Sequence, residues 1–180
     1  MPRSPSRTPA YNAGVALSQD LRLLTFRIGP ETFVIDIMAV RQIIPYAGST
    51  SVPTAPEFIE GVIVLRNEVV PIIDLRTRLY PALPERSETP LVFIMMSDEG
   101  VIGLKVDEVR RIVTVSRDAL LPPPAIIHGI RGDLLIGVVP HGDQVYLLID
   151  LENLLSGGEK EQLLAAHLDR HQSAAEPVAG

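Results

Sequence analysis

The chain contains no cysteine and no tryptophan among its 180 residues, and only 4% of them are aromatic. The absence of cysteine excludes disulfides, thiolate nucleophiles and cysteine-ligated centres such as zinc ribbons and iron–sulfur clusters. Positive charge is also scarce, because 16 Lys and Arg residues stand against 22 Asp and Glu residues, for a formal net charge of −6. This balance disfavours a groove that neutralises phosphates, so nucleic acid is not expected as a partner.

Long hydrophobic runs are missing as well. Residues 91–96 and 134–139 form the longest apolar stretches, far below the roughly 20 residues that span a bilayer. The N-terminal segment carries arginines but no apolar core of a secretory signal. Hydrophobic residues nevertheless make up 46% of the chain, enough to build a globular core. The sequence therefore predicts a cytoplasmic protein with no direct membrane insertion.

An internal repeat is the strongest pattern in the chain. Residues 61–79 (GVIVLRNEVVPIIDLRTRL) align without a gap on residues 137–155 (GVVPHGDQVYLLIDLENLL), with seven identities in 19 positions. Ordinary composition would give about one or two identities. A weaker similarity relates residues 35–43 to residues 104–112 in the same order. The sequence therefore predicts two copies of one structural unit.

Each copy shows the alternating apolar pattern of short strands separated by turns, and five strands are expected in each. A five-stranded sheet of short strands protects its edges best by curling into a barrel. We therefore predict a mainly β fold with two five-stranded β-barrel subdomains. The first copy comprises residues 21–80 and the second residues 91–155, with a proline-containing linker over residues 81–90.

Helices and tails are expected to be minor parts of the chain. Pro56 followed by Gly61 predicts a short helix over residues 57–60. Good helix formers predict a C-terminal helix over residues 156–172. Residues 1–20 and 173–180 are expected to be flexible tails. Residues 21–155 would then form the ordered domain.

Asp74 and Asp150 occupy equivalent positions in the two copies. Such a pair of carboxylates suggests an alternative function, that of a hydrolytic enzyme. Duplicated barrels with paired aspartates are the plan of aspartic hydrolases, in which two carboxylates share one proton. Both residues are followed by Leu, whereas that chemistry needs small hydroxyl and Gly neighbours. Each also follows a hydrophobic strand, which favours capping of the next turn. A pseudo-dimeric aspartic hydrolase stays as the alternative.

Other catalytic or metal-binding patterns are weaker. His167 and His171 have the i, i+4 spacing that can hold a metal on a helix, but no third ligand accompanies them. Nucleophile-elbow and phosphate-binding loop motifs do not occur in the sequence. We therefore expect no metal and no cofactor.

Four segments carry a family resemblance: FVIDIMAVRQI, TAPEFIEGVIVLRNEVVPIIDLR, GLKVDEVRRIVTV and VYLLIDLENLL. They resemble the CheW family of coupling proteins of bacterial chemosensory arrays, over about residues 21–155. The resemblance implies two SH3-like barrels around a shared core, in a protein without enzymatic activity. It also implies an adaptor between the cytoplasmic tip of a chemoreceptor and the regulatory domain of the histidine kinase CheA. Such adaptors lie at receptor arrays on the inner face of the membrane, where assembly with other CheW-like domains is expected. Flagellar and non-flagellar outputs, such as twitching, stay open.

The resemblance also implies a receptor-binding role for four residues. Arg66, Val40 and Gly61 match family positions at the receptor-contacting surface. Gln42 stands where the family often has Glu, so an acidic partner for Arg66 is missing. Asn67 replaces a family glycine, and Asn tolerates the left-handed conformation better than other non-glycine residues. The resemblance assigns no residue to the kinase-binding surface.

Overall fold

A computed structural model describes residues 20–82, 87–98, 100–127, 130–163 and 165 of the chain. Strands dominate, and one short helix, α1, covers Leu75–Leu79. Residues 157–163 and 165 are also helical. Single 3₁₀ turns occupy Ile37–Ala39, Arg117–Ala119 and Gly132–Leu134. The strands are β1 (Asp20–Ile28), β2 (Glu31–Asp36), β3 (Val40–Pro45), β4 (Ile59–Leu65), β5 (Glu68–Asp74), β6 (Leu91–Ser97), β7 (Gly100–Val106), β8 (Glu108–Ser116), β9 (Ile126–Ile127), β10 (Ile130–Arg131), β11 (Leu135–His141) and β12 (Gln144–Ile149).

The strands form two five-stranded sheets with the same internal order. The terminal barrel has the order β11-β12-β2-β1-β8, and the central barrel has the equivalent order β4-β5-β7-β6-β3. One parallel pair occurs in each, β12 with β2 and β5 with β7, and the other pairings are antiparallel. The predicted mainly β fold with two five-stranded units is confirmed. The two-residue pair β9–β10 was not predicted.

The division of strands between the barrels differs from the predicted one. Residues 21–80 and 91–155 do not each form a barrel, because β1 and β2 join the terminal barrel while β6 and β7 join the central barrel. A three-residue 3₁₀ turn leads from β2 to β3, and the single residue Asp107 separates β7 from β8. At both connections the chain leaves one sheet and enters the other. The two sequence copies are therefore interlocked. The strands β5 and β6, which precede and follow the predicted linker 81–90, both belong to the central barrel.

Each barrel encloses its own apolar cluster, and a third cluster lies between the barrels. Val70, Ile72, Val92 and Ile94 fill the central barrel. In the shared core, the Phe26 ring of β1 meets the Phe93 ring of β6 edge to face, with centroids 5.1 Å apart. An aromatic pair of this geometry adds to the free energy gained from burial alone. The shared core therefore joins the two barrels through residues of both.

A polar contact at Asp107 also ties the two barrels. Its carboxylate accepts hydrogen bonds from Arg76 Nη2 of α1 at 2.6 Å and from the Gly29 peptide nitrogen at 2.7 Å. Its own peptide nitrogen donates to the Arg27 carbonyl at 3.1 Å. Arg76 follows the central barrel, whereas Gly29 lies in the β1–β2 turn of the terminal barrel. Asp107 therefore connects the two barrels through its carboxylate and its peptide nitrogen.

Two local helix predictions have different outcomes. The short helix over residues 57–60 is wrong, because the Ile59 peptide nitrogen bonds the Pro56 carbonyl in a turn and β4 begins at Ile59. The C-terminal helix begins at residue 157. Ser156 caps it, since its hydroxyl accepts from the Glu159 peptide nitrogen while the Glu159 carboxylate accepts from Ser156. Most of the predicted tails, and the helix beyond residue 165, lie outside the described residues.

Candidate functional site

The candidate site is built on the hairpin between β4 and β5. Arg66 and Asn67 form its two-residue loop and have φ angles of 49° and 68°. Positive φ at both loop residues is the signature of a type I′ turn, whose twist matches that of the flanking strands. Asn67 takes the left-handed conformation that the sequence suggested. Arg66 has no such local preference, so the hairpin presents a guanidinium from a strained backbone position.

A cleft of about 300 Å³ opens beside this hairpin, at the mouth of the central barrel. Its apolar lining belongs to β4, β6 and β7, and its polar lining to β3 and the hairpin. The lining residues are Leu65, Ile94 and Val101, and Arg41, Gln42, Arg66 and Glu68. The closing of the sheet brings β3 to the hairpin, although the two are separated in sequence. The site therefore combines an apolar floor with a charged rim.

The structure brings Arg66 and Gln42 together at the cleft, but it does not bring Val40 or Gly61 there. Val40 is half-buried at the start of β3 and packs against the shared core. Gly61 is buried where β4 has a bulge, and a Cβ there would lie 2.4 Å from the Thr50 carbonyl oxygen. Gly61 therefore allows the close approach of a neighbouring loop. Its position shapes the site without presenting a side chain.

Sequence reasoning missed Arg41 and Glu68 as residues of the cleft. Arg41 adjoins Gln42 on β3, and Glu68 is the first residue of β5. Both are exposed. The available signal was that Arg41 directly precedes Gln42, for which the resemblance implied receptor binding. Nothing in the sequence indicated that β3 lies beside the hairpin.

The two guanidinium groups of the rim have no partner in the part of the chain that the structure describes. Among the described residues, neither Arg41 nor Arg66 makes a salt bridge or a side-chain hydrogen bond. By contrast, Arg76 binds Asp107, and Arg78 donates to the Leu154 carbonyl at 2.8 Å. The cleft therefore has positive charge available to an external group.

Asp74 and Asp150 each cap a turn, as favoured above. Asp74 Oδ1 accepts from the peptide nitrogen of Arg76 at 3.0 Å. Asp150 Oδ1 accepts from Glu152 at 3.1 Å, and its Oδ2 accepts from the Asn153 side chain at 2.7 Å. Both carboxylates are therefore engaged by the residues that follow them, and the geometry supports a structural role.

Asp74 also belongs to a buried ionic network behind the hairpin. Lys105 Nζ lies 3.5 Å from Asp74 and 3.0 Å from Glu60, and it stacks over the Tyr46 ring at 4.6 Å. The Tyr46 hydroxyl donates to Glu60 at 3.0 Å. Burial raises the pKa of Tyr46 above its ordinary value. This network fixes the base of the β4–β5 hairpin on β7.

A second groove, of about 460 Å³, runs along the outer edge of β4. No charged residue lines it. Val64, with 73% of its surface exposed, is the most prominent apolar side chain there. The two grooves thus differ in chemistry, and only the cleft at the barrel mouth can recognise a charged group.

In the described part, no group of three or more His, Asp or Glu residues is placed to hold a metal ion. His141 stacks on Tyr146 with centroids 5.3 Å apart, while His167 and His171 lie outside the described residues. None of the described helices is long and apolar enough to cross a membrane.

Comparisons with known proteins agree with this architecture. Residues 22–159 match the family model described as a CheW-like domain. The chain is 31% identical to a chemotaxis protein CheW of Treponema pallidum, over 81% of this chain and 88% of the relative. A probable chemotaxis protein CheW of Rhizobium etli is 34% identical, over 79% and 92% of the two chains. The crystal structure of the scaffolding protein TtCheW from Thermoanaerobacter tengcongensis superposes with a TM-score of 0.74 at 27% identity, covering 82% of this chain and 96% of that one.

Proposed function

Because this chain belongs to the family of CheW-like domain proteins, we propose that it couples the cytoplasmic tip of a chemoreceptor to the histidine kinase CheA. Three findings support this proposal: the family match spans both barrels, the relatives are chemotaxis proteins, and the related crystal structure is that of a scaffolding protein. A chemotaxis adaptor role follows from the family itself. The finer assignment of the two partners is ours.

The observation that carries the proposal is the open, positively charged mouth of the central barrel. Arg66 and Gln42 face one cleft there, and they are two of the four residues for which the resemblance implied receptor binding. Val40 lies two residues before Gln42 on β3, and Gly61 lies on β4, the strand that leads into the hairpin. The receptor-binding surface proposed here is therefore the rim of this cleft.

The adaptor acts without catalysis of its own. The paired aspartates, which offered the enzymatic alternative, serve as turn caps. A protein of this kind works by presenting complementary surfaces to two partners at the same time. The kinase surface must then lie away from the cleft. Holding the kinase in one of two arrangements would alter its activity by population shift. Its place would be the receptor array on the inner face of the membrane, beside other CheW-like domains.

Calorimetric titration of the purified protein tests both partners. The regulatory domain of a CheA from the same organism and a receptor tip fragment are titrated separately and then together. Arg66→Glu should weaken receptor binding about tenfold, since reversal of a rim charge opposes a complementary surface. Kinase binding and the melting temperature should stay unchanged.

Arg110→Glu is the control, because Arg110 is an exposed arginine on β8 of the terminal barrel. It should leave receptor binding unaffected. Receptor binding that is equal in wild type and Arg66→Glu would remove Arg66 from the surface. A folded protein that binds neither partner would refute the coupling role.

A further inference from the structure

The short helix α1 follows the central barrel, and its first arginine is tied to the terminal barrel. Arg76 binds the Asp107 carboxylate through two nitrogens, Nε at 3.2 Å and Nη2 at 2.6 Å. The same carboxylate accepts a hydrogen bond from the Gly29 peptide nitrogen in the β1–β2 turn. The exposed fractions of the two side chains are 12% for Arg76 and 16% for Asp107. One guanidinium of α1 is therefore linked to the terminal barrel through a largely buried ion pair.

The second arginine of α1 contacts the segment that follows the last strand. Arg78 Nε donates to the Leu154 carbonyl at 2.8 Å, and its Nη1 and Nη2 each lie 3.4 Å from the Glu159 carboxylate of the C-terminal helix. The Arg78 guanidinium also lies over the Phe58 ring, 4.5 Å from the ring centroid. Together with α1, the two arginines form a clasp, which holds the β1–β2 turn on one side and the C-terminal segment on the other.

The second sequence copy has no counterpart of this clasp. Arg76 and Arg78 correspond to Glu152 and Leu154 in the repeat. Residues 151–155 form turns, whereas α1 is helical. The hydrogen bond from Arg78 to Leu154 spans 76 positions, the offset of the repeat, so it joins a residue to its own equivalent in the other copy. The clasp is therefore a single, one-sided contact between the two copies.

A buried ion pair contributes more to orientation than to stability. Removal of two charges from water costs about as much free energy as their attraction returns. Part of this cost is not offset at Arg76, because its Nη1 atom is buried without a hydrogen-bond partner in the described part of the chain. The apolar contacts of the shared core stabilise the two barrels but are non-directional. The core is therefore the main source of free energy, and the clasp is the main source of direction.

We propose that the clasp fixes the angle between the two barrels, and that loss of its ionic contacts lets the barrels adopt other angles while each stays folded. Arg76 positions the β1–β2 turn through Asp107, and Arg78 positions the C-terminal helix through Glu159. This device is independent of the proposed coupling role. In a protein that holds two partners at once, the angle between the barrels sets how those partners are placed relative to each other.

Residual dipolar couplings of the full chain measure this angle, since they report the orientation of each N–H bond in a common frame. In the wild type, the amides of both barrels should fit one alignment tensor. The double variant Arg76→Met, Asp107→Asn removes the ion pair without leaving a lone buried charge, and the Asn amide oxygen can still accept from Gly29. Each barrel of this variant should fit a tensor of its own, with different orientations. Its melting temperature should stay within about 5 °C of the wild-type value, because the core is intact.

Hydrogen exchange separates the roles of the two arginines. The Gly29 amide bonds Asp107 and not Arg76, so it reports the clasp indirectly. In Arg76→Met its exchange should become about tenfold faster, whereas the helical amides of residues 160–163 should exchange as in the wild type. Arg78→Met should have the reverse effect, about tenfold faster exchange in the helix and none at Gly29. Each variant is therefore the matched control of the other.

Phe93→Leu is the control for stability, because Phe93 contacts Phe26 across the shared core but makes no part of the clasp. It should lower the melting temperature and keep the common tensor. One common tensor in both Arg76→Met, Asp107→Asn and Arg76→Met, Arg78→Met would show that the core alone fixes the angle, and would overturn the proposal. Loss of the common tensor in Phe93→Leu to the same extent as in the clasp variants would overturn it too. Neither result bears on binding of the receptor or the kinase, so the coupling role is tested separately.

Discussion

The central and terminal barrels have the same strand order, but their mouths differ. In the central barrel, Ile94 lies on the floor of an open cleft. In the terminal barrel, the equivalent residue is Thr25, whose buried hydroxyl bonds the backbone of Arg111. The Arg111 side chain is exposed and reaches the Tyr146 hydroxyl at 3.5 Å. The duplicated strand frame therefore carries different side chains at its two mouths, an apolar floor in the central barrel and a buried hydroxyl that bonds the neighbouring strand in the terminal barrel.

The barrels also differ in how they use charge inside. Lys105 of the central barrel joins Asp74 and Glu60 in one network. Its equivalent in the terminal barrel is Asp36, which caps the Ile37–Ala39 turn through the Met38 peptide nitrogen. Ile136 replaces Glu60. The ionic network therefore occurs in the central barrel, where it joins β7 to the two strands of the hairpin that carries Arg66.

Replacement of the equivalent residues Asp74 and Asp150 should give the largest difference in stability between the two barrels. Asp74→Ala should lower the free energy of unfolding by about 3 to 4 kcal/mol, because it removes a cap and one carboxylate partner of the buried Lys105. Asp150→Ala removes a more exposed cap and should cost about 1 kcal/mol. Chemical denaturation of both variants measures the difference. Equal losses would show that the Lys105 network adds no stability.

Replacement of the bulge glycines should lower stability in both barrels, and more strongly at Gly61, whose φ of 152° also disfavours a side chain. A Cβ at Gly61 would lie 2.4 Å from the Thr50 carbonyl oxygen, and one at Gly137 would lie 2.5 Å from that of Leu121. Gly61→Ala and Gly137→Ala should therefore each cost about 2 to 3 kcal/mol, because a backbone segment must move. Denaturant titration checks this. A large loss in one variant with none in the other would mean that the two bulges are not equivalent.

The sequence was sufficient for those features that depend on local pattern. Apolar alternation located the ten main strands, and the positions of Asp74 and Asp150 after hydrophobic strands indicated caps. The repeat gave the order of the elements in each copy. These signals work because strand period, turn residues and caps act over a few neighbouring residues.

Features that depend on pairing between distant segments could not be predicted. The repeat shows that β1–β2 and β6–β7 are equivalent, but either hairpin would satisfy the apolar pattern of either barrel. The chain crosses from one barrel to the other at Ile37–Ala39 and at Asp107, and the local pattern of apolar residues does not indicate either crossing. For the same reason, the position of Arg41 in the cleft could not be predicted, because it depends on how β3 packs beside the β4–β5 hairpin. The helix predicted from Pro56 was wrong because the turn that begins at Pro56 leads directly into β4.

A smaller effect is expected at Tyr80, whose equivalent in the repeat is the helix-capping Ser156. The Tyr80 hydroxyl is buried and has no hydrogen-bond partner in the part of the chain described. Removal of an unsatisfied buried hydroxyl should stabilise the protein, so Tyr80→Phe should raise the free energy of unfolding by about 1 kcal/mol. Denaturation at pH 8 measures this gain, and a loss of stability would reveal a partner for the hydroxyl.

The same variant should change the response to alkaline pH. Burial, and then the negative charge of Glu31, raise the pKa of Tyr80. Above about pH 10 the unfolded chain therefore loses this proton while the folded chain keeps it, so stability falls as pH rises. Tyr80→Phe should make that fall shallower between pH 10 and 11. An identical slope in both proteins would place the Tyr80 pKa in its ordinary range.

The smallest effect should come from the hairpin tips, and it should have opposite signs in the two barrels. Asn67 has a positive φ, at 68°. In the terminal barrel the equivalent residue Asp143 has no positive φ, and the positive φ of that hairpin, 62°, belongs to Gly142. Asn67→Gly relieves a left-handed residue and should stabilise by about 0.5 kcal/mol, while Asp143→Gly adds chain entropy to the unfolded state and should destabilise by a similar amount. Paired denaturation curves would resolve the two signs. Asn67→Gly leaves Arg66 in place, so receptor binding should be retained. A loss of binding in this more stable variant would show that the Asn67 side chain itself contributes to the receptor-binding surface.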